Sequence, residues 1–186
     1  MLLFPLALAG GVALGYLAGG KIEALGRLRI KAPAALLPAL ALQLVLGWVD
    51  PPLRGVFVDA SYAIVGVWLV VNLRGRRGLF RLGVAVLALG WVSNLAVIVV
   101  NDGMPVSLAA ARRAGVSRPS EALNARSIAK HVPADSSTRL RWLGDTIVVH
   151  RTIISIGDVF LCAGAFVAVA AAMTRSEHDR VTVRGS

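Results

Sequence analysis

The fold is decided by residues 79–100, which read LFRLGVAVLALGWVSNLAVIVV. A helix needs about 20 mostly apolar residues to cross a hydrocarbon core of about 30 Å, and this run meets that requirement with a single charge, Arg81. Four more apolar runs cover residues 2–19, 33–49, 55–73 and 152–173. We therefore predict an all-α, polytopic membrane bundle of about five transmembrane helices, which forms one domain over residues 1–186.

The composition agrees with a membrane bundle and excludes several functional classes. Hydrophobic residues make up 56% of the chain, above the range of about 45–50% that is usual in soluble domains. Cys162 is the only cysteine, so an intramolecular disulfide is impossible. The sequence has neither a Cys/His cluster with zinc spacing nor a glycine-rich phosphate loop. We expect no cofactor and no metal site.

The positions of the basic residues predict the orientation, because cytoplasmic loops are enriched in Lys and Arg. The connectors after the first and third spans, together with the first residues of the fourth span, carry Lys21, Arg27, Arg29, Lys31, Arg74, Arg76, Arg77 and Arg81. The connector after the second span carries only Arg54. We therefore expect the N-terminus outside, the C-terminus in the cytoplasm and residues 101–151 outside. This topology explains the arginines, so nucleic acid is not an expected partner.

Residues 101–151 form the only long connector, and their pattern predicts a short helical extracytoplasmic cap. We predict helices over residues 106–114 and 121–131, the second with Ser120 as its N-cap, and one more helical turn over residues 138–143. Within the bundle, Gly11, Gly15 and Gly19 share one face of the first span, a spacing that permits close helix packing in lipid.

Asp158 is the most informative single residue, because acidic side chains inside a membrane usually face the protein interior. Counted from residue 152, it lies about 9 Å below the outer boundary, and Asn94 on the fourth span lies at a similar depth. Ser155 shares the helical face of Asp158. We predict an outward-facing polar pocket between spans four and five. The alternative is that Asn94 and Asp158 only bond to each other and join the two helices.

Four short motifs extend this candidate site into the cap: Asn101-x-Gly103-Met104-Pro105, Lys130-His131, Trp142-Leu143-Gly144-Asp145 and Ser155-Ile156-Gly157-Asp158. Together they resemble a family of small bacterial membrane proteins with a domain of unknown function. The resemblance implies a bacterial inner membrane and one common site. The predicted ligand-binding residues are Asn94, Asn101, Gly103, Pro105, Lys130, His131, Trp142, Asp145, Ser155 and Asp158.

The preferred functional hypothesis is binding of an anionic lipid or another amphiphilic ligand, with membrane lipids or a membrane protein as partners. Lys130 and His131 suit an anionic headgroup, since lysine supplies a mobile charge and histidine exchanges protons. A metal site at His131, Asp135 and Asp145 lacks a recognised ligand spacing, so none is predicted.

Two alternatives remain open. In the first, Asp145 and Asp158 are the catalytic pair of an intramembrane hydrolase that acts on a lipid-linked or membrane peptide substrate. Asn-x-Gly followed by two outer aspartates is similar to lipoprotein signal peptidases, from which this chain departs in span number and spacing. The two aspartates are 13 positions apart and meet only if residues 146–155 fold back or Asp145 dips into the bilayer. In the second, the protein is a small transporter component with Asp158 as its proton or cation site.

Overall fold

A computed structural model describes residues 2–49, 51–125 and 131–174 of the chain. The helices and strands, in chain order, are α1 (Leu3–Leu17), α2 (Glu23–Gly26), α3 (Leu36–Leu44), α4 (Pro51–Leu73), α5 (Gly78–Asn101), β1 (Met104–Val106), α6 (Leu108–Arg113), α7 (Pro119–Ala125), β2 (His131–Pro133), β3 (Ile147–Val149), β4 (Thr152–Ile154) and α8 (Ile156–Met173). In this part of the chain, α4, α5 and α8 are long and apolar enough to cross a membrane. The apolar helices Leu3–Leu17 and Pro33–Leu44 are shorter.

The apolar runs are helical, but two of them differ from the predicted continuous spans. In the second run, α3 is flanked by 3₁₀ turns at Pro33–Ala35 and Val45–Trp48. In the fifth run, α8 starts at Ile156, and the predicted helical residues Thr152–Ile154 form strand β4 instead. The physical reason is the N-cap of α8. The Ser155 hydroxyl accepts a bond from the Asp158 amide at 3.0 Å, which fixes the start of the helix.

Helices α5 and α8 pack antiparallel and nearly backbone to backbone. A Cβ on Gly90 would lie 2.5 Å from the carbonyl oxygen of Gly157, and one on Gly83 would lie 2.5 Å from the amide nitrogen of Ala168. Gly157 and Gly164 make equally close contacts from α8. Each helix thus presents glycines seven residues apart, which is close to two helical turns and puts both on one face. Small residues at such positions let transmembrane backbones approach closely.

Helix α1 packs parallel to α8 through the predicted glycine face. Gly11 lies against Phe166 and Val169, and Gly15 lies against Met173. Close packing is therefore confirmed for these two glycines. Gly19 is the exception, because it has a positive φ of 78° after the helix end and open space around it.

The basic connectors at residues 18–32 and 74–77 meet at one end of the bundle. The Asn72 side chain accepts a bond from the Lys31 amide at 2.8 Å and donates to the Lys31 carbonyl at 3.0 Å. The Arg76 guanidinium donates to the Arg29 carbonyl, while the Lys21 amide bonds to the Met173 carbonyl at 3.2 Å. The ends of α1, α4 and α8 thus lie on the same side.

The cap at the other end is only partly helical, which corrects the prediction. Strand β1 pairs in parallel with β2, and β3 pairs with β4 as an antiparallel hairpin. The first predicted cap helix is shorter, because Met104–Val106 is a strand. The second predicted cap helix starts at Pro119, one residue before its predicted N-cap, Ser120. Its last predicted residue, His131, lies in β2 instead. Residues 126–130 lie outside the described part of the chain. The third is a 3₁₀ turn at Arg141–Leu143.

Buried apolar side chains fix the cap to the bundle. Met104 from β1 and Leu143 from the 3₁₀ turn pack with Val97 and Ile98 of α5 and with Val58 of α4. Val97 is completely buried. The cap is therefore part of the same hydrophobic core as the helices, and its strands hold a fixed position above α5 and α8.

The glycine contact between α5 and α8 yields a stability prediction. Gly90→Ala puts a methyl group against backbone, so the helices must separate. We expect the free energy of unfolding to fall by about 1–3 kcal/mol, as for other overpacked sites. Thermal unfolding in detergent micelles measures this. The matched control is Gly55→Ala in α4, where the added Cβ meets open space; equal losses in both variants would contradict the packing argument.

Candidate functional site

Three side chains from α5 and the start of α8 form one hydrogen-bonded network. Asn94 Nδ2 donates to Asp158 Oδ1 at 2.9 Å, and the Ser155 hydroxyl donates to Asn94 Oδ1 at 2.9 Å. Asp158 Oδ2 accepts a bond from the Ser155 amide at 3.1 Å, which completes a reciprocal capping box with Ser155. Ser155 is fully buried and Asn94 is 5% exposed. The predicted bond between Asn94 and Asp158 is present, and it joins the two helices.

This network changes the interpretation of Asp158. The residue lies in the first turn of α8, as its third residue, and not several turns inside a helix that starts at residue 152. Its carboxylate accepts the hydrogen bond of the buried Ser155 amide and benefits from the positive end of the helix dipole. Asp158, to which the transporter hypothesis assigns a proton or cation, therefore has a structural role at the N-cap of α8.

The β3–β4 hairpin brings Asp145 back to Asp158. Ile147 pairs with Ile154 and the Thr146 amide donates to the Ile154 carbonyl at 3.2 Å, so residues 146–155 fold back on themselves. Asp145 is 6% exposed. Burial, with the nearby charge of Asp158 as the second cause, raises the pKa of Asp145 from 3.8 to about 7. The carboxyl group is therefore divided between its acid and its carboxylate form at neutral pH.

Strand β1 bonds to the backbone of Asp145 along one edge and to strand β2, which carries His131, along the other. The Asp145 amide donates to the Pro105 carbonyl at 2.8 Å, and the Ser107 amide donates to the Asp145 carbonyl at 3.0 Å. On the other edge of β1, Met104 pairs with His131 of β2. His131 Nε2 lies 3.5 Å from Asp145 Oδ2. His131 is about half exposed, so it connects the buried carboxyl group with the surface of the cap.

Asn101, Gly103 and Pro105 support this arrangement from the backbone side. The Asn101 side chain donates to the Val97 and Arg139 carbonyls at 2.8 and 2.9 Å and accepts from the Arg139 amide at 2.8 Å. Gly103 is buried and its amide bonds to the Ile98 carbonyl at 3.0 Å. Pro105 is fully buried in β1. These three residues support strand β1, whose Pro105 carbonyl accepts the bond from the Asp145 amide.

The structure describes one of the two remaining predicted site residues. Trp142 is 62% exposed, and the neighbouring Leu143 is the one that packs into the core. Lys130 lies outside the described residues.

A cavity of about 450 Å³ lies beside Asn94. Helices α3, α4 and α5 supply nearly all of its lining, and α8 contributes Leu161. This cavity differs in position from the predicted pocket between spans four and five, whose helices α5 and α8 meet closely at Gly90 and Gly157. The polar groups in the lining are Gln43, Ser61, Tyr62 and Asn94. Tyr62 lies in this lining beside Trp91, with the two ring centroids 5.9 Å apart.

Sequence reasoning missed Gln43, Ser61 and Tyr62. The Gln43 amide donates to the Ser61 hydroxyl, which itself donates to the Val58 carbonyl at 2.7 Å. The buried Gln43 Oε1 has no hydrogen-bond partner among the described residues. A signal was present, because Gln43 is a single polar residue in an otherwise apolar run, and such residues usually face another helix or a cavity.

The chemistry of the site is that of a carboxyl pair with amide and hydroxyl groups. In the described residues, no group of three or more His, Cys, Asp or Glu side chains is placed to hold a metal ion. Asp145 keeps its proton to a higher pH than an exposed aspartate does, because burial raises its pKa, and the Asp158 oxygens accept hydrogen bonds from Asn94 and Ser155. Gln43 and Tyr62 add an unpaired acceptor and a hydroxyl at the cavity wall.

The fold and the site define a helical protein with apolar helices compatible with a membrane and a carboxyl pair at the junction of cap and bundle. The chain belongs to DUF5317, a family of unknown function whose model matches residues 27–170. The expected membership of a family without an assigned function is thereby confirmed. The matched stretch includes both aspartates and the whole lining of the 450 Å³ cavity. No characterised protein and no solved structure matches the chain.

The raised pKa of Asp145 predicts how stability depends on pH. The folded protein retains a proton that the unfolded chain loses above pH 3.8, so stability falls as the pH rises from about 4 to about 7. The upper bound of this loss is about 4 kcal/mol. Asp145→Asn cannot ionise, so we expect it to remove this part of the decline.

The measurement is the midpoint of thermal unfolding in detergent at pH 5 and pH 8. The wild type should lose more stability between the two values than Asp145→Asn does. Asp102→Asn is the matched control, since Asp102 is exposed at the end of α5 and Asn accepts its positive φ of 53°. A decline in Asp145→Asn as steep as in the wild type would show that the buried carboxyl group does not titrate near neutrality.

Proposed function

We propose that the protein is a five-span bacterial inner-membrane protein that binds an amphiphilic ligand from the outer side. The membrane assignment is supported by the three long apolar helices α4, α5 and α8. The shorter apolar segments Leu3–Leu17 and Pro33–Leu44 supply the first and second spans. They are shorter than the roughly 20 residues of a perpendicular span, so snorkelling of flanking side chains or local thinning of the bilayer accommodates them.

The orientation is argued from charge. The two basic connectors, residues 18–32 and 74–77, meet at the end of the bundle opposite to the cap, and the positive-inside rule assigns such an end to the cytoplasm. The cap and the carboxyl pair then face the outside. The cap also carries arginines, which include the exposed Arg112, Arg113, Arg139 and Arg141. These lie on its surface, where they suit contact with anionic headgroups of the surrounding lipid.

The observation that carries the proposal is the buried Asp145 beside Asp158, with a pKa of about 7. Two neighbouring carboxyl groups do not ionise together easily, so one donates and the other accepts hydrogen bonds at neutral pH. Such a pair complements a hydroxyl or amide group of a ligand. An anionic headgroup would be repelled by Asp158, so we assign a neutral polar headgroup to this site and not the anionic one.

The apolar part of the ligand fits the cavity beside Tyr62. Its volume of about 450 Å³ falls in the range of about 300–1,000 Å³ that is usual for ligand pockets. The wall is mainly apolar and includes Leu36, Leu40, Val65 and the aromatic ring of Trp91. Gln43 and Tyr62 belong to the same lining, where they offer polar contacts to a headgroup.

A comparison of two ligands with the same chain tests the headgroup assignment. Mono-oleoylglycerol carries a neutral diol and oleate carries a carboxylate. We expect purified protein at pH 8 to bind mono-oleoylglycerol at least fivefold more tightly, measured by native mass spectrometry in detergent. Leu40→Trp fills the cavity and should weaken this binding by a similar factor. Leu37→Trp is the matched control, because Leu37 is exposed on the same helix and does not line the cavity. Tighter binding of oleate, or equal effects of the two tryptophans, would overturn the proposal.

A hydrolase is the second candidate, and the fold of the hairpin favours it specifically. The two aspartates meet if residues 146–155 fold back, and β3 and β4 meet that condition. In this reaction, a water oxygen attacks the carbonyl carbon of an amide while its proton passes to the Asp158 carboxylate. Asp145 donates its proton to the leaving nitrogen as the carbon–nitrogen bond breaks. The products are a carboxylic acid and an amine, and the proton returns from Asp158 to Asp145.

A cleavage assay with a chromogenic substrate distinguishes hydrolysis from ligand binding alone. The probe is a lauroyl-peptide p-nitroanilide in detergent, which releases p-nitroaniline when its amide bond is cleaved. If the pair is catalytic, Asp145→Asn and Asp158→Asn each reduce the rate by about 100-fold or more, the usual contribution of general acid–base catalysis. Asp102→Asn retains the wild-type rate. A wild-type rate in either site variant would leave ligand binding as the role of the site.

A further inference from the structure

A second cavity lies at the opposite end of the bundle from Asp145. Its volume is about 280 Å³, and its lining is almost entirely apolar, drawn from α1, α2, α4, α5 and α8. The lining includes Leu8 of α1, Phe80 of α5 and Ile30 of the first basic connector. Such a lining offers little to a water-soluble molecule, but it suits a hydrocarbon chain.

Two polar groups in the wall of this cavity point to the headgroup. Arg76 lines the cavity, and its guanidinium carbon lies 5.1 Å from the centroid of the Phe80 ring. Its Nε donates to the Asn72 carbonyl at 3.3 Å, so the side chain is held in place at the basic end. The indole nitrogen of Trp68, which also lines the cavity, is buried and has no acceptor among the described residues.

The surroundings of Arg76 carry a strong positive charge. The connectors at residues 18–32 and 74–77 contain one acidic residue, Glu23, and seven basic residues: Lys21, Arg27, Arg29, Lys31, Arg74, Arg76 and Arg77. The bonds from Asn72 to Lys31 and from Arg76 to Arg29 bring both connectors together. The net charge of the two connectors is therefore +6 (seven minus one).

We propose that this cavity is a specific site for an anionic phospholipid of the surrounding membrane. One acyl chain occupies the cavity between Leu8 and Phe80, and the phosphate binds at Arg76. A guanidinium group keeps its positive charge at physiological pH, so Arg76 attracts a phosphate group electrostatically. Basic pockets between transmembrane helices on the cytoplasmic side are suited to anionic headgroups. The site is separate from Asp145 and does not depend on the ligand proposed for the outer side.

The headgroup is tested by native mass spectrometry of the purified full chain in detergent with dioleoyl phosphatidylglycerol or dioleoyl phosphatidylcholine. We expect the anionic lipid to be retained at least fivefold more strongly. Arg76→Gln should reduce this preference about fivefold, in line with the contribution of one basic charge near an anionic headgroup. Arg81→Gln is the matched control, because Arg81 is exposed at the same end and does not line the cavity.

A second pair of variants tests whether an acyl chain occupies the cavity. Leu8→Trp places an indole in the cavity and should reduce retention of phosphatidylglycerol about fivefold. Leu6 lies on the same helix, is exposed and does not line the cavity. Leu6→Trp should therefore leave the retention of phosphatidylglycerol unchanged. Unfolding temperatures of the variants confirm that they are folded.

Three outcomes would overturn the proposal. The first is equal retention of the two lipids by the wild type. The second is an equal loss in Arg76→Gln and Arg81→Gln, which would indicate a diffuse surface attraction. The third is an equal loss in Leu8→Trp and Leu6→Trp, which would leave the cavity without a role.

Discussion

The structure depends on the backbone contact between α5 and α8. In lipid, helices gain little from the hydrophobic effect on association, so close packing and hydrogen bonds between helices hold them together. Gly83 and Gly90 on one helix, with Gly157 and Gly164 on the other, remove the side chains that would keep the backbones apart. This contact also places Asn94 within bonding distance of Ser155 and Asp158. The polar network is therefore a consequence of the packing, and it adds a specific register that glycines alone do not define.

A second constraint acts on the cap. Strand β1 is held between β2 and the backbone of Asp145, and Met104 packs into the core above α5. The position of Asp145 is thus set by main-chain bonds, whatever its side chain prefers. The side chain is then buried beside another carboxyl group, which opposes its ionisation. Sites that hold a group in an unfavourable charge state in this way are often functional, because proton exchange or ligand binding relieves the cost.

Several elements were predictable from the sequence, and others were not, for physical reasons. Hydropathy located α4 and α5, and the glycine spacing identified the face of α1 that meets α8. The β4 strand was missed because Thr152, Ile153 and Ile154 are as apolar as the helix that follows, so hydropathy merges them. Ser155 and Asp158 form the S-x-x-D pattern of a capping box, which would have fixed the helix start. The 450 Å³ cavity was not predicted, because its polar groups come from separate helices. The contacts of these helices depend on crossing geometry that no local sequence pattern contains.

The two cavities differ in the charge at their polar ends, and this difference determines which ligands they distinguish. Near Asp145 and Asp158 the shared negative charge opposes an anion and favours a group that donates a hydrogen bond. Near Arg76 the basic connectors attract an anion over a distance of about a Debye length, roughly 10 Å at moderate salt. Both linings are mainly apolar, so in the two proposed sites the chain of an amphiphile would not be the part that distinguishes them. The headgroup does, and the selectivity of each site therefore follows from a few charged side chains at the ends of helices whose packing is otherwise set by glycine.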